Sequence, residues 1–138
     1  LEDVVKPDRT ETFPPAREIV IVEDDPLLRT LMTELLVDVE AETVTFVTAD
    51  DALMHVVESR GKCSLLITDH GVPGQIKGAE LASMVRHKWP DVPVILTSGY
   101  ELDTSSIPEG VTYLQKPWPI NTLIEAVQSL LPATIARY

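Results

Sequence analysis

An apolar run that ends abruptly on a carboxylate constrains this chain most: Leu65-Leu66-Ile67-Thr68-Asp69, followed by the turn-forming Gly71, Pro73 and Gly74. Short, near-continuous runs of Val, Ile and Leu mark strands buried on both faces, as in parallel sheets covered by helices. In open α/β sheets the carboxyl ends of the strands line the functional crevice. Asp69 is therefore expected at a strand end, presented to a site.

The rest of the chain repeats the pattern. Glu18 to Val22 predicts a first strand, ending on Glu23-Asp24-Asp25. Asp25-Pro26 then makes a good helix start, a capping acceptor followed by proline at the first helical position. Leu27, Leu28, Leu31, Met32, Leu35 and Leu36 recur at helical spacing and predict one apolar face. Thr43 to Val47 predicts a second strand, and Thr48 to Asp51 resembles a capping box with Asp in place of Glu. Leu53, Val56 and Val57 mark the second helix, which Gly61 stops. Leu81, Met84, Val85 and Trp89 mark a third helix, closed by Pro90. Val92 to Leu96 predicts a fourth strand that pairs fully only beyond Pro93, and it leads to Thr97-Ser98-Gly99-Tyr100. Val111 to Leu114 predicts a fifth, ending on Gln115-Lys116-Pro117. The last helix starts near Pro119 and is expected to bury Ile120, Leu123, Ile124, Val127, Leu130 and Leu131. Such alternation predicts an α/β fold, a doubly wound five-stranded parallel sheet. One helix is weak: Glu101 to Gly110 has no helical period, so a fourth helix is short or absent.

Composition limits the function. The chain has 138 residues and a net charge of -11, which repels nucleic acid and anionic membrane. No apolar run approaches the ~18 residues of a membrane span, and no signal peptide is visible, so a soluble, cytoplasmic protein is expected. Cys63 is the sole cysteine and reads as a buried small hydrophobe. Residues 1–17 carry three prolines and no period, and read as a flexible arm or linker. Residues 18–132 form the expected domain and 133–138 a tail; Leu1 in place of an initiator Met suggests a piece of a longer protein or an altered start.

Gathering the strand ends brings Glu23, Asp24, Asp69, Thr97 and Lys116 to one edge. Clustered carboxylates raise each other's pKa or demand a cation. An all-oxygen, wet site suits Mg²⁺. Lys116 and Thr97 then look toward an additional anion. The chemistry that fits is phosphoryl transfer onto Asp69 as nucleophile, with Mg²⁺ and Lys116 neutralising charge.

These residues, in this order and on these strand ends, resemble the receiver domain of bacterial two-component response regulators, over about residues 17–132. The matching motifs are the acidic pair Glu23-Asp24, the phosphoacceptor Asp69 with Pro73 four residues on, Thr97-Ser98, and Lys116-Pro117 with Tyr113 three residues before the lysine. The resemblance implies the flavodoxin-like, CheY-like (βα)5 fold and phosphoryl transfer from a sensor histidine kinase or a histidine phosphotransfer protein. It further implies a metal shell of Glu23, Asp24, Asp69 and the Gly71 main-chain carbonyl around Mg²⁺ or Mn²⁺. Thr97 and Lys116 would stabilise the phosphoryl group, and Thr97 and Tyr113 would act as switch residues. Such a domain is a phosphoacceptor that catalyses only its own phosphorylation and dephosphorylation. A homodimer stays open, and no nucleic-acid or membrane partner is expected.

The Thr97-Ser98-Gly99-Tyr100 stretch is shared with stand-alone receivers and with receiver modules of hybrid kinases. One departure stands out. The family's glycine eight residues after the phosphoacceptor is here Lys77, and Gly78 follows, so the turn is one residue longer. The alternative reading is a pseudo-receiver, a binding or dimerisation module that works without phosphorylation. A phosphatase with an aspartyl-phosphate intermediate would want a second acid where Gly71 stands. A flavin-binding domain would want a phosphate loop where Glu23-Asp24-Asp25 would repel phosphate. Asp25 reads as a cap, His70 as a turn residue and Trp118 as a neighbour of the site.

Overall fold

The structure is a computed structural model and describes residues 18–39 and 41–131. The expected arm and tail lie outside the described residues, as does Pro132. Among the described residues five strands run in chain order: β1 (Glu18–Val22), β2 (Glu42–Phe46), β3 (Leu65–Asp69), β4 (Val94–Ser98) and β5 (Thr112–Gln115). The helices are α1 (Pro26–Leu35), α2 (Ala49–Glu58), α3 (Gly78–Lys88) and α4 (Ile120–Leu130). All strand pairings are parallel, in the order β2-β1-β3-β4-β5. The doubly wound α/β sheet predicted from the alternation is the fold observed.

Period-two alternation splits the core between the sheet's faces. Val20, Val22, Leu66 and Val94 pack with Ala52 and Val56 of α2 and with Leu81 and Val85 of α3. Ile19, Ile21, Leu65, Ile67 and Ile95 pack on the other side with Met32 and Leu36 from the α1 region and with Leu123 and Val127 of α4. Strands β3 and β4 are buried along their whole length, while the edge strands β2 and β5 are partly exposed. This burial explains why the central strands read as unbroken apolar runs.

Helix starts follow local chemistry. Asp25 Oδ1 accepts the Leu27 and Leu28 N–H groups at 2.9 and 3.4 Å, which caps α1. Thr48 Oγ1 accepts from the Asp51 N–H at 3.1 Å and caps α2. β4 begins at Val94; Pro93 lacks an N–H, but its carbonyl still accepts from the Leu66 N–H at 3.0 Å. Between β4 and β5 the chain forms only a single 3-10 turn, Thr104–Ser106, where the sequence lacks a helical period. The helical faces are narrower than the spacing predicts. Leu27 is 82% exposed although its neighbour Leu28 packs on the core, which places Leu27 at the edge of the apolar stripe, and Ile120 is 48% exposed. Leu31, Val57 and Met84 also turn to the surface.

The longer turn after Asp69 has a steric cause. A Cβ on Gly78 would overlap the Asp69 carbonyl oxygen and stand 2.6 Å from its carbonyl carbon. The Gly78 N–H donates to the His70 carbonyl at 3.1 Å, so α3 starts hard against the end of β3. The glycine is needed where the backbones touch, one residue later than the resemblance implies.

Two outcomes follow for the fold. Gly78→Ala is expected to lower the unfolding free energy by about 1–3 kcal/mol, as overpacking does. Gly99→Ala, with open space around it, is expected to stay within about 0.5 kcal/mol; urea denaturation of both variants checks the contrast. Burial, with the Glu18 charge adding to it, pushes the Cys63 thiol up to about 11. The thiol therefore stays protonated at pH 8, and a disulfide reagent should modify native protein far more slowly than denatured protein.

Candidate functional site

Parallel register sets the site. Asp69 pairs with Thr97 across β3 and β4, so both side chains leave the strand ends on one face. The Thr97 hydroxyl donates to Asp69 Oδ1 at 3.2 Å. At the end of β5 the Lys116 N–H donates to the Ser98 carbonyl at 2.7 Å, which fixes the lysine backbone beside β4. Its ammonium then reaches across the sheet to Glu23 Oε1 at 2.9 Å and Asp69 Oδ1 at 3.0 Å. Glu23 is held from three sides. Its N–H donates to the Phe46 carbonyl at 3.0 Å, its Oε2 accepts from the Asp25 N–H at 3.1 Å, and its carbonyl accepts from Arg29 Nη1 at 2.8 Å.

Three carboxylates, from Glu23, Asp24 and Asp69, each offer an oxygen within 4.8 Å of the others. Glu23 and Asp69 are buried, at 1% and 6% exposure, whereas Asp24 faces solvent. Burial raises the Glu23 carboxyl above its ordinary range, although the Lys116 and Asp25 donors pull it down. Burial works the other way on the Lys116 ammonium, but the Glu23 and Asp69 carboxylates outweigh it and hold that ammonium above its usual value. With all three acids ionised, one ammonium cannot balance them. The donor set is all oxygen and the mouth is open at Asp24, which fits a hard divalent cation better than a soft metal.

The five residues gathered from the strand ends are therefore together. Both donors to Asp69 reach Oδ1; its Oδ2 faces Gly71, where a Cβ would stand 3.6 Å away. Tyr113 sits differently. Its hydroxyl donates to the Tyr100 carbonyl at 3.2 Å, away from the acidic cluster. Ser98 Oγ also donates to that carbonyl, at 2.6 Å, and accepts from the Tyr100 N–H. His70 Nδ1 accepts from the Ala79 N–H at 3.3 Å, and its ring meets Tyr100 edge-on. This nitrogen serves the start of α3, consistent with a turn histidine rather than a base. Trp118 is partly buried against the α1 and α4 cluster. The Ser98 and Tyr100 contacts went unseen in the sequence, where only the Thr97 hydroxyl carried a chemical signal.

Comparison with known proteins agrees with this geometry. The family model described as the response regulator receiver domain matches residues 19–128. The hydrogenase transcriptional regulatory protein HoxA of Cupriavidus necator is 30% identical over 83% of this chain, and the response regulator protein FleR of Pseudomonas aeruginosa is 31% identical over 81%. The chain spans about a quarter of the length of these relatives, 24% of each. Among solved structures, the receiver domain of the hybrid histidine kinase CckA is 35% identical with a TM-score of 0.69, covering 83% of this chain and 99% of that one. Response regulator protein TrrA of Thermotoga maritima, solved in complex with Mg²⁺ and BeF, is 30% identical with a TM-score of 0.70 over the same shares. A match over most of the chain, on a sheet whose strand ends carry this cluster, means that the chain belongs to the response regulator receiver domain family.

Proposed function

We propose that this chain is a phosphorylatable receiver in a two-component phosphorelay, and that Asp69 accepts a phosphoryl group from a sensor histidine kinase or a histidine phosphotransfer protein. The observation that carries this reading is the bonding of Asp69. Lys116 and Thr97 both occupy Oδ1, which leaves Oδ2 as the oxygen free to attack. Oδ2 forms the new O–P bond while the P–N bond of the phosphohistidine donor breaks, its electron pair leaving on the imidazole nitrogen. The Lys116 ammonium and the Thr97 hydroxyl then donate to the phosphoryl oxygens where charge accumulates. Glu23, Asp24, Asp69 and the Gly71 carbonyl would hold Mg²⁺, or Mn²⁺ in its place, which neutralises phosphoryl charge when bound. The chain's catalysis is confined to its own phosphorylation and dephosphorylation.

The modification adds roughly two negative charges, enough to redirect Lys116 and Thr97 and so to switch partner interactions. Tyr113 would follow through Tyr100, whose carbonyl it already holds. We take 18–132 as the receiver, with a cytoplasmic phosphodonor as its partner. HoxA is a transcriptional regulator by name, yet this chain's net charge of -11 speaks against direct contact with nucleic acid.

Intact-mass analysis after incubation with acetyl phosphate tests the proposal. Wild type should gain one phosphoryl group only with Mg²⁺, and Asp69→Asn should gain none. No gain under any condition would overturn the reading in favour of a pseudo-receiver. A gain that persists in Asp69→Asn would mean that the nucleophile lies elsewhere.

A further inference from the structure

We infer that Asp50 is a positioning residue for the phosphorylation site, acting through the loop that carries Gly71; the inference rests on the receiver reading of that site. Asp50 stands in the first turn of α2, where the helix dipole favours a carboxylate. Its Oδ1 reaches across to the loop between β3 and α3 and accepts two main-chain donors, Gln75 N–H at 3.0 Å and Ile76 N–H at 3.4 Å. The loop is shaped to receive it. Gly74 has φ +109, and a Cβ there would occupy the place of the Asp50 carboxylate oxygen. Only glycine lets the backbone close over the acid at this point.

The other ties of the loop sit nearer the site. Val72 is fully buried against Ala49, Ala52 and Val56, and its carbonyl accepts from Lys77 Nζ at 3.3 Å. Gly71 is thus strung between Asp69, fixed by β3, and Val72, fixed by the core. Beyond Val72 the turn carries one residue more than the family pattern. Asp50 takes up that length by anchoring residues 75 and 76 to α2. Without it, the loop has one fewer restraint against drift, and the segment that carries the Gly71 carbonyl is held only through β3 and Val72. The effect should fall on cation affinity, not on the nucleophile.

The test compares wild type, Asp50→Ala, Asp50→Asn and, as a control, Asp51→Ala. Mg²⁺ affinity is read by calorimetry without any phosphodonor, and the phosphorylation rate is read against Mg²⁺ concentration. Asp50→Ala should weaken Mg²⁺ binding roughly tenfold, the low end for residues that support a metal shell. Its rate at saturating Mg²⁺ should match wild type. Asp50→Asn keeps an acceptor oxygen and should restore most of the affinity, and Asp51→Ala should change nothing. Unchanged Mg²⁺ affinity in Asp50→Ala overturns the inference. So does a fall in the saturating rate together with general loss of thermal stability, which would make Asp50 a mere fold residue. If wild type binds Mg²⁺ but takes no phosphoryl group, the receiver reading fails while the calorimetric comparison still decides the role of Asp50.

Discussion

One ammonium joins three strands. Lys116 at the end of β5 bonds Glu23 after β1 and Asp69 at the end of β3, and 93 residues separate it from Glu23. Buried like charges are costly alone, and a paired, hydrogen-bonded arrangement is what makes them tolerable. The contact exists only when the strands stand in the order β2-β1-β3-β4-β5 and in their parallel register. The sheet thus creates the charge cluster, and the lysine makes it affordable. Because one cation faces three acids, the site stays short of positive charge. That shortage favours a divalent cation, which would have to offset the acids before an anionic phosphoryl group could approach.

The segment after β4 shows how this member of the family holds together with so little helix there. In place of a fourth helix there is a single 3-10 turn. Its beginning is fixed by main-chain and hydroxyl contacts around Tyr100, from Ser98 on one side and Tyr113 on the other. Thr97, the neighbour of Ser98, bonds Asp69 directly. Under the proposed phosphorylation, a change at Asp69 would reach the Tyr100 turn through adjacent residues of one strand, with no helix needed to carry it.

Much of this was legible in the sequence because the central strands are buried on both faces and therefore apolar throughout. Leu65 to Thr68 announces a strand, and Asp69 stands out because a charge ends it. Glu23 and Thr97 stand out as polar residues at the ends of buried runs, and Lys116 as a charge after a partly exposed strand. Exposure was less legible. Leu27 and Ile120 fit the helical period of their neighbours, but period gives a direction around an axis and not the width of the stripe that is covered. Asp50 was invisible as anything but a first-turn acid, since its partners are main-chain N–H groups 25 and 26 residues away. The place of Gly78 could be noticed but not explained until the Asp69 carbonyl was found beneath it. Side chains that bond backbone across the fold leave no spacing in the sequence.

The balance between Lys116 and a divalent cation can be measured directly. Mn²⁺ binding, followed by the loss of its free-ion electron paramagnetic resonance signal, should be compared in wild type and Lys116→Met. If the ammonium is the resident counter-ion of Glu23 and Asp69, its removal deepens the negative charge of the pocket and Mn²⁺ should bind more tightly. Weaker or unchanged binding in Lys116→Met would contradict the account, since the three acids would then not be sharing their charge between the lysine and a metal.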